Sequence, residues 1–156
     1  MTRPVKFDVR SEEEGKHALQ FFNAFHDGFI KRLTAISQDD FAPDKSQRCT
    51  GRFDVELELA HYNYRQGQPA YSQRILASFR DVQDLHCDFR DFLYNSPIQS
   101  LAIEKGQRSD GNSTEEEPCL VLKAAHSILE MRGTEQRWVH RMELMFTFSI
   151  GSFVEQ

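Results

Sequence analysis

Three histidines stand on the apolar phase of strand-like segments, where imidazole chemistry would be placed by the backbone. His61 ends the run from Phe53, His126 lies within the run from Cys119 to Met131, and His140 lies within the run from Trp138 to Ile150. Neutral imidazole is a common metal ligand and binds zinc at ~2.0–2.1 Å. A hairpin turn near Thr134 that sets His126 opposite Met142 and His140 opposite Ile128 makes the two histidines diagonal neighbours. Diagonal pairs in a sheet stand ~7–8 Å apart at the Cα level, within reach of one shared ion. His61, His126 and His140 are therefore the candidate metal ligands. The competing account makes them core histidines, each donating to a backbone carbonyl. Spacing favours that account, since neither His-x-His nor His-Glu-x-x-His occurs.

A second pattern is His26-Asp27-Gly28. A carboxylate beside an imidazole can orient it as an acid or base. Sequence neighbours rarely face one another, however, and Asp-Gly is ordinary turn chemistry. Nucleophilic routes have less support. There is no Gly-x-Ser-x-Gly elbow, and the eight glycines form no phosphate loop. Cys49, Cys87 and Cys119 lie more than thirty residues apart with no Cys-x-x-Cys pair, which fits free thiols in a reducing, cytoplasmic setting.

The third pattern is aromatic. Tyr62, Tyr64, Arg65 and Tyr71 fall in and beside one Gly- and Pro-containing loop, with the composition of adaptable binding loops. These four are the candidate ligand-binding residues. The alternative is a hairpin end whose tyrosines cover the core. An acid row, Asp54, Glu56 and Glu58, lies on the wet phase of its strand and suits a solvated face better than a docking strip.

The elements that must position these residues follow from periodicity. Val5, Phe7 and Val9 alternate as a short strand. Ser11 with Glu14 forms a capping box, and Ala18, Phe21, Phe22 and Phe25 repeat at helical spacing. That predicts a helix of three or four turns, closed at Asp27-Gly28. Strand patterns then cover Phe29 to Ile36, Phe53 to His61, Ile75 to Phe79, Ile98 to Ile103, Cys119 to Met131 and Trp138 to Ile150. Asp84 to Asn95 fits strand and helical turn equally. Loops are expected at Gln38 to Gly51, at Asn63 to Gln73, and at Lys105 to Pro118. The last contains none of the usual core-forming side chains and is expected to be a mobile surface loop.

Composition sets the class. The chain has 156 residues, 39% of them hydrophobic and 28% charged, which suits a single globular domain over residues 1–156. A net charge of −5 argues against nucleic acid as a partner. No run approaches the ~20 apolar residues of a membrane-spanning helix, and no secretory leader pattern opens the chain. The fold expected is α+β and mainly β: an N-terminal helix, then a mostly antiparallel sheet of six or seven strands, as a sandwich, roll or partly closed barrel. The function expected is a non-enzymatic binding or interaction module for a protein or small molecule. A homodimer is compatible with it, and no cofactor is implied. The alternative is a small metal-binding protein or enzyme built on the inward histidines.

Overall fold

The computed structural model describes residues 3–62, 72–88, 97–109 and 115–156, with the side chains of 127–129 and 138–143 outside that description. The elements are β1 (Lys6–Val9), α1 (Glu12–Phe21), β2 (Phe29–Ser37), β3 (Asp40–Phe41), β4 (Gln47–Arg48), β5 (Phe53–Tyr62), β6 (Ser72–Cys87), β7 (Ile98–Ser109), β8 (Glu116–Arg132), β9 (Glu135–Phe148) and β10 (Ile150–Glu155). The main sheet is antiparallel and curls into a half-barrel in the order β1-β10-β6-β9-β8-β7, with β5 and then β2 added on β6. β3 and β4 form a small separate hairpin inside the stretch expected as a loop. The expected class, mainly-β α+β with an N-terminal helix, is the one observed.

The curl has a local cause. β9 and β10 pair with β6 in one continuous register, Gln83 opposite Thr147 and Arg80 opposite Ile150, with Ser149 between them. At this corner β6 carries Asp81 and Asp84 at φ of 55° and 53°, a left-handed geometry that bends a strand as a bulge does. Polar groups hold the bend. Ser149 Oγ donates to Asp81 Oδ2 at 2.8 Å, and Gln38 Nε2 reaches Asp81 Oδ1 at 3.1 Å and Asp54 Oδ1 at 2.9 Å. Arg108 of β7, its side chain 3% exposed, donates Nε to Glu117 Oε1 at 2.8 Å and Nη1 to the Asp81 carbonyl. Arg52 Nη2 reaches the same Glu117 oxygen at 2.9 Å. The Ser149 hydroxyl, with Gln38, Arg52 and Arg108 assisting, holds the Asp81 carboxyl below its ordinary value.

Inside the curl lies an apolar core rich in phenylalanine. Phe22, Phe25 and Phe153 meet at ring-centroid distances of 5.0–6.2 Å, and Phe79 reaches Phe146, Phe148 and Phe153 within 5.9 Å. α1 closes the concave side. Its cap forms as the sequence predicts: Ser11 Oγ accepts from the Glu14 amide at 3.1 Å, while Glu14 reaches back to the Arg10 amide.

Three sequence expectations need correction. The helix stops at Phe21, not at Asp27-Gly28. Asn23, Ala24, Phe25 and Asp27 take φ of 51°, 50°, 54° and 63°, so Phe25 enters the core from a left-handed turn. Gly28 is needed there for room: a Cβ would sit 2.8 Å from the Phe25 carbonyl oxygen and 2.9 Å from that of Ala60. Second, residues 105–118 are not one mobile surface loop. β7 and β8 pair from Lys105 opposite Leu120 to Ser109 opposite Glu116. A ladder needs its backbone groups paired, and the end of this one is held by Arg108 with Glu117, on the face opposite Ile103 and Leu122. Third, a register shift between Ala124 and Ala125 sets His126 opposite Arg141 and His140 opposite Ser127. A one-residue slip exchanges the phases of a ladder, so positions 126 and 140 are not the diagonal neighbours expected.

Candidate functional site

Among the described residues, the seam between α1 and the outer edge of β7 carries a groove and an open strand edge side by side. Among the described residues β7 has one strand neighbour, β8, so its other edge is open. Alternation decides which backbone groups face outward. The Lys105 amide donates to Glu12 Oε2 at 3.2 Å, away from β8. Residues two and four positions earlier, Ile103 and Leu101, therefore turn their N–H and C=O groups to the same open side. At the far end Ile98 is bridged from outside, its N–H donating to the Gly28 carbonyl at 2.7 Å and its carbonyl accepting from Asp27 at 2.9 Å. The open window thus runs between Ile98 and Lys105, roughly 20 Å at a strand's rise per residue.

α1 forms the facing wall because Gly15 lets it come close. A Cβ on Gly15 would stand 2.8 Å from Ile103 Cγ2. A glycine inside a helix costs ~1 kcal/mol relative to alanine, so this approach is bought with helix stability. The groove left beside the contact has a volume of about 410 Å³. Leu19, Ala24, Leu101 and Ile103 give it an apolar floor, and Lys16 and Glu104 stand at its rim. Residues from both faces of β7 line it, Ala102 and Glu104 from one and Leu101 and Ile103 from the other. The strand's edge, not its face, is what the groove presents. Past Lys105 a second recess of about 340 Å³ continues beside Arg10, Gly106 and Cys119. Burial there raises the Cys119 thiol above its ordinary value, so it is not an activated nucleophile.

The residues singled out by sequence lie elsewhere. His61 is buried with its ring edge-on to Phe22 and Phe25 at 5.8 and 5.4 Å, opposite Gln73 in the ladder. His126 is fully buried, opposite Ile98 on β7. The side chain of His140 is outside the description, and among the described residues no three His, Cys, Asp or Glu side chains gather as a metal site would require. Tyr62 is 44% exposed at the end of β5; Tyr64, Arg65 and Tyr71 lie outside the described residues. His26 and Asp27 do face one another, Nδ1 to Oδ2 at 3.0 Å, with the Gln99 amide 3.5 Å from Nε2. In the acid row, Glu58 is met by Arg74 at 3.1 Å and Arg32 at 3.6 Å, and Asp54 by Gln38. Glu58 thus forms cross-strand ion pairs to both neighbouring strands.

The groove residues carried one signal in the sequence, a glycine in mid-helix, which marks close approach of another element. No described helix is long and apolar enough to cross a membrane. Comparison of the chain with known protein families, with curated proteins and with solved structures finds no match in any of the three.

Proposed function

We propose that the protein is a non-enzymatic binding module that takes an extended segment of a partner protein along the open edge of β7. The observation that carries this reading is the open Leu101–Ile103 edge lying directly beside an apolar groove walled by α1. Strand addition to an edge draws affinity from main-chain hydrogen bonds, and a flanking pocket adds choice of side chain. Leu101 and Ile103 offer two donors and two acceptors, and the 410 Å³ groove has room for one or two apolar side chains.

Amide exchange tests the geometry first. In the isolated protein Leu101 and Ile103 amides should exchange faster than those of Ala102 and Glu104, which bond to β8. Binding is then tested by selecting from displayed random heptapeptides with free C-termini. Selected peptides should slow exchange at Leu101 and Ile103 and leave β2 unchanged. Peptides that map elsewhere, or a pool that yields none, would overturn the reading.

A further inference from the structure

We infer that the Lys105 end of the groove is a carboxylate position, made for the C-terminal carboxylate of the bound segment, and that Glu12 occupies it as an internal stand-in. The inference rests on the binding reading above and adds the chemistry of the ligand's end. In a continuing ladder the outward Lys105 amide would meet a main-chain carbonyl. It meets instead the Glu12 carboxylate, whose second oxygen is held by Lys16 Nζ. Together these donors hold the Glu12 carboxyl below its ordinary value. Arg10 and Lys105 line the adjoining recesses. Arg10, Lys16 and Lys105 thus stand around this end among Glu13, Glu14 and Glu104, and moving the Glu12 side chain out leaves the Lys105 amide and the Lys16 ammonium facing the position its carboxylate held.

A chain end fits this arrangement. A segment lying on Leu101 and Ile103 and stopping at Lys105 places its terminal carboxylate at the amide, in the line of the strand. It runs parallel to β7, since its end lies at the C-terminal side of the window. Its penultimate side chains fall beside Leu19, Leu101 and Ile103. Glu12 competes with it intramolecularly, so the resting protein binds more weakly than the site allows.

The test uses one selected heptapeptide, synthesised as the free acid and as the C-terminal amide, with the full chain and the variants Glu12→Ala and Lys16→Gln. The acid should bind about tenfold more tightly than the amide, the scale of one charge-assisted hydrogen bond. Glu12→Ala should tighten the acid several-fold and leave the amide unchanged, and Lys16→Gln should weaken the acid alone. Thermal melts keep folding defects separate, since neither side chain is buried in the core. Acid and amide that bind equally at Leu101 and Ile103, or an acid indifferent to Glu12→Ala, would overturn the carboxylate position while leaving strand addition intact. A peptide that does not map to β7 defeats both.

Discussion

β2 and β7 are both outer strands of the same sheet, yet among the described residues only β7 has a helix packed along its open edge. β2 is flanked by β5 alone among the described residues, and most of it is exposed. It carries Lys31 and Arg32 in succession, Arg32 turned onto Glu58, and leaves Ile36 59% exposed. Charged side chains on an open edge discourage indiscriminate pairing. β7 instead has α1 alongside, and its inward residues Leu101 and Ile103 are buried. The backbone of any edge offers the same hydrogen bonds. On the proposed reading, the wall beside the β7 edge is what lets it choose among side chains.

Arg108 is the largest lever on that difference, because it belongs to β7 and has no counterpart on β2. Arg108→Ala removes the donor to Glu117 and the Asp81 carbonyl and leaves part of a buried polar cluster without its cation. Removing one partner of such a pair costs ~3–5 kcal/mol; the half-exposed Glu117, still met by Arg52, sets the expectation at the lower end. Urea denaturation gives the total, and amide exchange locates it. β7 and β8 should open before global unfolding while β2 and β5 stay protected. Equal loss of protection on both edges would mean that Arg108 supports the whole sheet and not its β7 side.

Gly15→Ala acts next, on the wall. Helix propensity alone would reward alanine by ~1 kcal/mol. Against that, the new methyl meets Ile103 at 2.8 Å, inside a core where overpacking costs ~1–3 kcal/mol. The net expectation is a loss of about 1 kcal/mol in a thermal melt, together with weaker binding of selected peptides. A gain in stability with unchanged binding would show that α1 has room to move and that the groove's width is not fixed by this contact.

These two residues also mark what could be read from sequence. Strand phases and the capped helix were legible because burial on one face leaves a period of two or 3.6, as in Val55, Leu57 and Leu59, or Ala18 and Phe22. The half-barrel's bend was not, because the left-handed geometry of Asp81 is held by contacts with Ser149, Gln38 and Arg108, distant in sequence. The pairing of 105–109 with 116–120 was hidden for the same reason: the buried position near its end is taken by an ion pair, Arg108 with Glu117, which hydropathy scores as loop. The candidate histidines were found by phase, which holds for the buried His61 and His126, but one register shift between β8 and β9 removes the diagonal placement expected of positions 126 and 140. The groove depends on two elements eighty residues apart, and Gly15 was its only local mark.

Acid gives a finer probe of the bend that sets β7 apart. The Asp81 carboxyl lies below its ordinary value of 3.8 in the folded protein, so its contribution is present above that value and is lost as pH falls through the folded one. Comparing urea midpoints of the wild type and Asp81→Asn isolates it from other carboxylates. Asparagine tolerates the same positive φ. The stability gap between the two should hold from neutral pH to about pH 4 and then close. A gap independent of pH would assign the effect of Asp81 to hydrogen-bond geometry and not to its charge.

The smallest expected effect concerns the turn that joins the two edges, since residues 23–28 end α1, bridge Ile98 of β7 and lead into β2. Ala24 sits there at φ 50°, ψ 25°, a conformation that costs a non-glycine residue about 1 kcal/mol. Ala24→Gly relieves that strain but adds freedom to the unfolded chain, which takes back ~0.4–1 kcal/mol. A gain of a few tenths of a kcal/mol in a denaturant titration is expected, with peptide affinity within about twofold of wild type because only one methyl leaves the groove floor. A clear loss of stability would mean that the Ala24 methyl packs the end of the groove more firmly than the turn strains it. A longer apolar side chain on the ligand, filling the space the methyl leaves, should then recover the lost binding.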